Sequence, residues 1–203
     1  MKRKEEKNER DTMRKNIIHL LVAAAVIATC DGKKSQLPAD EVAEKTVAET
    51  ADSDSTVYGA CGDGSAMNTL QLITEQGDTL VLSTTDANDR GRCIGGFQSG
   101  DRMAVILKDG LTASQVINLS ALSGNWISAG QPQTGISLKE DGVAEGIGNT
   151  SVEYRSWRLL NGRLVIESVK GGEAITGVYD IVSIGPDSLV FRDSEQLFEY
   201  SRK

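Results

Sequence analysis

From residue 57 to the C-terminus, apolar and polar positions alternate in short runs separated by Gly, Asn, Asp and Pro, the period of two that marks half-buried β-strands. Residues 67–74 alternate, Gln76-Gly77-Asp78 offers a turn and residues 79–83 return, which predicts a hairpin. A polar loop over residues 85–90 leads to strands over 92–97, 102–107 and 114–119, separated at Ser99-Gly100-Asp101 and Asp109-Gly110. About five or six short strands here predict a small barrel. After Leu122 the punctuation is regular. Runs at 126–129, 135–138, 143–147, 152–160, 163–168, 174–184, 188–192 and 196–202 predict about eight more strands. Between two of them, Asn161-Gly162 supplies the residues tolerant of positive φ that a type I′ hairpin requires. Closing these strands into a ring would remove both sheet edges. The predicted class is all-β, with a small barrel over residues 57–119 and an eight-stranded up-and-down barrel over residues 120–203.

The chain before residue 57 has a different character. An apolar run at 17–29 follows Arg14 and Lys15 and is shorter than the roughly 20 residues of a membrane-spanning helix, so it predicts the core of a signal peptide. A start at Met13 would give that signal a compact basic leader and competes with Met1. The run ends in Ile27-Ala28-Thr29-Cys30, which resembles the lipobox of bacterial lipoproteins, although Thr29 stands where Gly, Ala or Ser is usual. The resemblance implies cleavage of residues 1–29, lipidation of Cys30 and attachment to a membrane through that lipid. Residues 31–56 mix charged residues with Ser, Thr and Ala around isolated apolar positions, and predict a flexible tether.

Composition narrows the chemistry. Aromatics make up 4% of the chain and glycines number 21, a balance suited to tight turns between short strands. The one histidine, His19, lies in the signal, so a mature protein lacks the residue on which Ser-His and Cys-His catalysis and His-ligated metal sites depend. No catalytic residue, metal or cofactor is expected. Removing residues 1–30 takes away seven basic and four acidic residues and leaves a net charge of −10, which argues against a nucleic-acid partner. Asp86, Asn88 and Asp89 offer oxygen ligands, but without a downstream bidentate acid they predict a loop tip rather than a calcium site. With Cys30 committed to lipid, Cys61 and Cys93 remain, and an even count in an exported chain predicts a disulfide between them.

Two stretches resemble known families. The turn and strand Gly100-Asp101-Arg102-Met103-Ala104-Val105 is similar to one found in OB-like barrels. Leu122-Ser123-Gly124-Asn125-Trp126 resembles the Gly-x-Trp opening of lipocalins and related calycins, and residues 154–164 form a hairpin similar to that of lipocalin-like lipoproteins of Gram-negative anaerobes. The second lipocalin motif, Thr-Asp-x-x-x-Arg, and the long C-terminal helix are absent. The resemblance implies a small β-domain between anchor and barrel, a location in the envelope of a Gram-negative bacterium, anchored in the outer membrane, and closure of the barrel at Gly124 and Trp126 with Arg202 across the ring. Trp126, Tyr154, Trp157, Tyr179 and Phe191 are then the residues that line a ligand pocket or simply fill the core. The implied function is binding of a small apolar or amphipathic molecule. The alternative is a non-catalytic interaction scaffold, like protease inhibitors of the calycin type or envelope stress-sensing lipoproteins, with an unidentified protein partner.

Overall fold

The computed structural model describes residues 53–131 and 133–203. The expectations for the signal peptide, for Cys30 and for most of the tether lie outside these residues. Within them the class is all-β, in two sheets.

The first sheet begins with the meander β1 (Thr56–Cys61), β2 (Thr69–Thr74) and β3 (Thr79–Ser83). It continues through β4 (Cys93–Ile94), β5 (Arg102–Asp109) and β6 (Thr112–Asn118). Its order is β3-β2-β1-β5-β6-β4. A parallel bridge from Ser83 to Thr112 also joins β3 to β6, so five strands close into a small ring. Alternation sets its interior: Leu70, Leu72, Leu82, Met103, Val105 and Val116 are buried together.

Residues 85–90 depart from the expected loop. Thr85–Asp89 forms a short helix, α1, with Ala87 buried beneath the sheet. Two of the three oxygen-bearing side chains go to separate partners. Asp86 pairs with Arg90 at 3.2 Å and Lys108 at 3.1 Å, while Asn88 donates to the Met67 carbonyl at 3.0 Å.

The predicted disulfide is also corrected, because Cys61 and Cys93 are free thiols. The reason lies in the register. Cys93 pairs with Val116, Val116 with Val105 and Val105 with Val57, which places Cys93 level with a residue four positions from Cys61 on β1. Cys61 is buried in the core of the ring and Cys93 is half-buried against that core from β4, with no bond between them. The Cys61 thiol instead lies 3.2 Å from Ser65 Oγ.

A short helix, α2 (Leu119–Leu122), leads into the second sheet, and its N-terminus is capped by the Asn118 side chain, which accepts from the Ala121 N–H at 2.9 Å. Eight strands follow: β7 (Gly124–Ser128), β8 (Gly135–Leu138), β9 (Ala144–Ile147), β10 (Val152–Leu160), β11 (Arg163–Lys170), β12 (Glu173–Ile184), β13 (Ser188–Arg192) and β14 (Leu197–Arg202). From β7 to β9 and from β10 to β14 each pairs antiparallel with the next, and β14 pairs back onto β7 through Tyr200–Ser128 and Arg202–Trp126. An isolated bridge from Val143 to Ser156 and a 2.7 Å bond from the Trp157 N–H to the Gly142 carbonyl bring β9 and β10 together and nearly close the ring. The expected eight-stranded up-and-down barrel is therefore present.

Two bulges set which side chains face inward. Between Tyr154 and Ser156, and again between Ile181 and Ser183, one strand carries an extra residue. Tyr154 and Trp157, three residues apart, would otherwise face opposite sides. With the bulge both point into the barrel, as do Ile181 and Ile184.

The barrel stands on the first sheet. Ile94, Ala104 and Ile117 from that sheet, Leu119 and Leu122 from α2, and Trp126, Ile184 and Leu189 from the barrel belong to one buried cluster. Polar contacts frame it. The Tyr58 hydroxyl donates to the Leu159 carbonyl at 2.9 Å, Gln115 Nε2 to the Gly162 carbonyl at 3.2 Å, and Arg102 Nη1 to the Glu140 carbonyl at 2.8 Å. The Asn161-Gly162 turn, with φ of +50° and +74°, is thus pressed against β6. A Cβ on Gly162 would lie 2.4 Å from Gln115 Oε1.

Candidate ligand site at the barrel mouth

Strand directions give the barrel two ends. Gly124, Leu138, Leu160, Arg163, Ile184 and Arg202 lie at the end seated on the first sheet, and Ser128, Gly135, Val152, Lys170, Glu173 and Leu197 lie at the other. The first end is sealed. Trp126 is 0% exposed, its indole N–H donates to the Leu122 carbonyl at 2.8 Å, and the Arg202 guanidinium lies over its ring at 4.2 Å. The same guanidinium donates to the carbonyls of Ala121 at 2.7 Å, Ser123 at 3.1 Å and Pro186 at 2.8 Å. Gly124 is what lets it approach. Any Cβ there would stand 2.4 Å from Arg202 Nη1, and the backbone φ of +145° disfavours other residues.

Above this floor the lumen is filled. Trp157 is buried and its indole donates to the Lys139 carbonyl at 2.8 Å, while Leu159, Leu164, Ile166, Ile181 and Phe191 occupy the middle layer. No large calyx remains there. These side chains supply the apolar burial that holds the ring together, at about 25 cal/mol for each Å² taken from water.

The upper layer is aromatic and half-buried. Phe191 stacks on Phe198 at 5.4 Å and on Tyr200 at 5.3 Å, and Tyr179 meets Phe191 at 5.0 Å and Phe198 at 5.5 Å edge to face. Each is a favourable aromatic geometry. One glycine makes room for these rings: a Cβ on Gly177 would be 2.3 Å from the Tyr179 hydroxyl, whereas one on Gly146 would only touch the Tyr154 ring, at 3.6 Å. Tyr179 therefore leans along its own strand toward the mouth, and Tyr154 leans toward β9.

Burial pushes the phenols of Tyr154, Tyr179 and Tyr200 above the usual tyrosine value. Tyr154 adds repulsion at Tyr179 and Tyr200, and Tyr179 adds more at Tyr200. No protein hydrogen bond to these hydroxyls offsets the rise among the described residues. Beside Tyr154 an open groove of about 500 Å³ runs along Gly146, Gly148, Thr150, Val152 and Val169.

The structure thus divides the five aromatics singled out in the sequence. Trp126 belongs to the floor, Trp157 and Phe191 to the filled middle, and Tyr154 and Tyr179 to the mouth. Phe198 and Tyr200 belong with the last group, and alternation along β14 signals them, since Phe198, Tyr200 and Arg202 fall on one face. Gly177 carries no such signal, because only the neighbouring ring gives the missing side chain a meaning.

Residues 118–203 match the lipocalin-like family model. No curated protein matches the chain. Among solved structures, the chain is similar to a lipocalin-like protein from Bacteroides thetaiotaomicron at 25% identity, over 40% of this chain and 96% of that one, with a TM-score of 0.35. The C-terminal barrel is lipocalin-like in both sequence and architecture.

Proposed function

We propose that this protein is a non-catalytic, lipid-anchored envelope protein whose lipocalin-like barrel takes a small apolar or amphipathic molecule at its mouth. The observation that carries the binding reading is the set of three half-buried phenol hydroxyls, without protein partners among the described residues, above a sealed aromatic floor. Groups of this kind are costly to desolvate unless something bonds them, and a ligand with a polar end supplies that partner. The filled middle layer restricts the ligand to the mouth and its groove. That same filling favours the second reading, a scaffold whose rim contacts a protein.

A neutral apolar dye, N-phenyl-1-naphthylamine, separates the two. Its fluorescence should rise on binding wild-type protein, and Gly177→Val, which displaces the Tyr179 hydroxyl, should weaken binding about tenfold while leaving the thermal midpoint nearly unchanged. Absence of binding, or binding indifferent to Gly177→Val, removes the mouth reading and leaves the scaffold.

The anchor rests on Ile27-Ala28-Thr29-Cys30. Acylation contributes about 0.8 kcal/mol per buried methylene, so a multiply acylated Cys30 would hold the protein on a bilayer. In cell fractionation, wild type should sediment with membranes, and Cys30→Ala should remain unprocessed or become soluble. Equal partitioning of processed forms would remove the anchor.

A further inference from the structure

β9 and β10 are the two ends of the barrel's eight-strand order. Toward the floor they are joined by the Val143–Ser156 bridge and by the 2.7 Å bond from the Trp157 N–H to the Gly142 carbonyl. Above that point the seam is open. No backbone hydrogen bond crosses it between Ala144–Ile147 and residues 152–155 among the described residues. The connection between the two strands keeps it so. Gly148, with φ of +74°, lies against the β7–β8 connection so closely that a Cβ there would collide with the Gln133 carbonyl oxygen, and the Thr150 hydroxyl donates to the Val152 carbonyl at 2.6 Å. The opening is the groove of about 500 Å³ beside Tyr154, and Gly146, Gly148, Gly171 and Gly172 along it present backbone without side chains. Its two carboxylates are already matched, Glu145 by Lys139 at 2.5 Å and Glu153 by Arg155 at 3.0 Å.

An unpaired strand edge presents N–H and C=O groups in the spacing that another extended chain satisfies, and glycines beside it let a second backbone approach closely. With both carboxylates matched, the groove offers a partner main chain rather than charge. We infer that the β9–β10 seam is a docking slot for an extended peptide segment of a partner protein, which adds a strand along residues 152–155 of β10. At about 3.3 Å per residue that edge is about 13 Å long and takes about four or five peptide residues. Side chains on the inward face of the added strand meet the Tyr154 ring, which favours small apolar residues there. Docking of this kind depends on the seam alone, whether or not the mouth takes a small molecule.

The probe is the blocked hexapeptide acetyl-Ser-Val-Thr-Val-Thr-Ser-amide, together with two forms of it, one N-methylated at both valines and one at both threonines. Each form loses the N–H groups of one edge of the extended peptide and keeps its side chains. Titrated into the purified full chain, the parent peptide should shift the backbone amide resonances of Gly146, Glu153 and Tyr154 and slow hydrogen exchange along residues 152–155. The form methylated on the edge that faces β10 should bind at least about tenfold more weakly, because the main-chain hydrogen bonds are lost. Ser151→Trp, on the connection at the slot, should weaken the parent peptide with the thermal midpoint unchanged. Absence of shifts at these amides, or peptide binding that a folded Ser151→Trp protein keeps in full, would overturn the docking slot. Equal binding of all three peptides would overturn it too, because side chains would then hold the peptide. Should Ser151→Trp fail to fold, the two N-methylated forms decide the question on wild type alone. A dimer in sedimentation whose Glu153 and Tyr154 amides are protected without peptide would give the seam to a second copy and overturn the peptide partner.

Discussion

Asp54 and Tyr58 show how a few polar atoms tie the first strand to the barrel floor. Asp54 Oδ1 accepts from the Thr56 N–H at 3.0 Å, the Thr56 hydroxyl at 2.5 Å and the Asn161 N–H at 3.1 Å, while the Ser55 hydroxyl donates to Asn161 Oδ1 at 2.8 Å. Partial burial opposes ionisation of Asp54, but these hydrogen bonds outweigh it and hold the carboxyl below its usual value. Tyr58 responds in the opposite sense. Burial, then the Asp54 charge, pushes its phenol from 10.0 up to about 12. The folded state therefore prefers the neutral phenol, whose hydroxyl donates to Leu159. Its contribution to stability is complete below pH 10 and is lost as pH rises from about 10 to about 12. Tyr58→Phe should thus lower stability at neutral pH and reduce the steepness of the alkaline decline, because the other raised tyrosines still titrate. Parallel urea melts of wild type and Tyr58→Phe from pH 8 to 12 check this. A constant stability difference across that range would show that Tyr58 ionisation is not linked to folding.

At the scale of elements, most of the architecture was legible because period-two patterning and turn chemistry act locally. Alternation at residues 67–74 and 163–168, and the Asn161-Gly162 turn, specify a strand and its direction without reference to distant residues. What was not legible depends on a partner. The bulge after Tyr154 reverses the alternation through Trp157, and it exists because β11 pairs in two registers on either side of it. The helix α1 has too few apolar residues to announce itself. Only Ala87 is buried, and the helix is held by its position between β3 and β4. The Cys61–Cys93 pairing was inferred from a count, and a count carries no register. The mouth was half legible. Tyr154 and Tyr179 were visible as aromatics, but Gly177 acquires its role only when Tyr179 folds back over it. β14 joins these levels. Its alternation sends Phe198 and Tyr200 to the mouth and Arg202 to the floor, while its backbone pairs with both β13 and β7 and leaves neither edge exposed.

For the whole molecule, the decisive feature is that the barrel floor is not a free surface. Leu122 and Trp126 are 0% exposed, and they are covered on one side by the barrel and on the other by Ala104 and Ile117 of the first sheet. The described chain enters at this end, where Asp54 and Ser55 are bonded to Asn161, so the mouth opens at the end of the barrel away from that entry. A shared core also predicts shared unfolding, since removing either sheet exposes the buried face of the other at a cost larger than the marginal stability of a small β-domain. The chain carries separate reporters for the two parts: Trp126 and Trp157 lie in the barrel, and Cys61 and Cys93 in the first sheet. In a Cys30→Ser background, tryptophan fluorescence and thiol labelling should report the same urea midpoint. Leu122→Ala should lower both together, by about 2 to 5 kcal/mol, because the cavity it leaves lies in the core common to both sheets. Thiols that become reactive well before the tryptophans are exposed, with Leu122→Ala moving only the tryptophan transition, would show instead that the first sheet unfolds on its own and that the contact beneath Trp126 couples nothing.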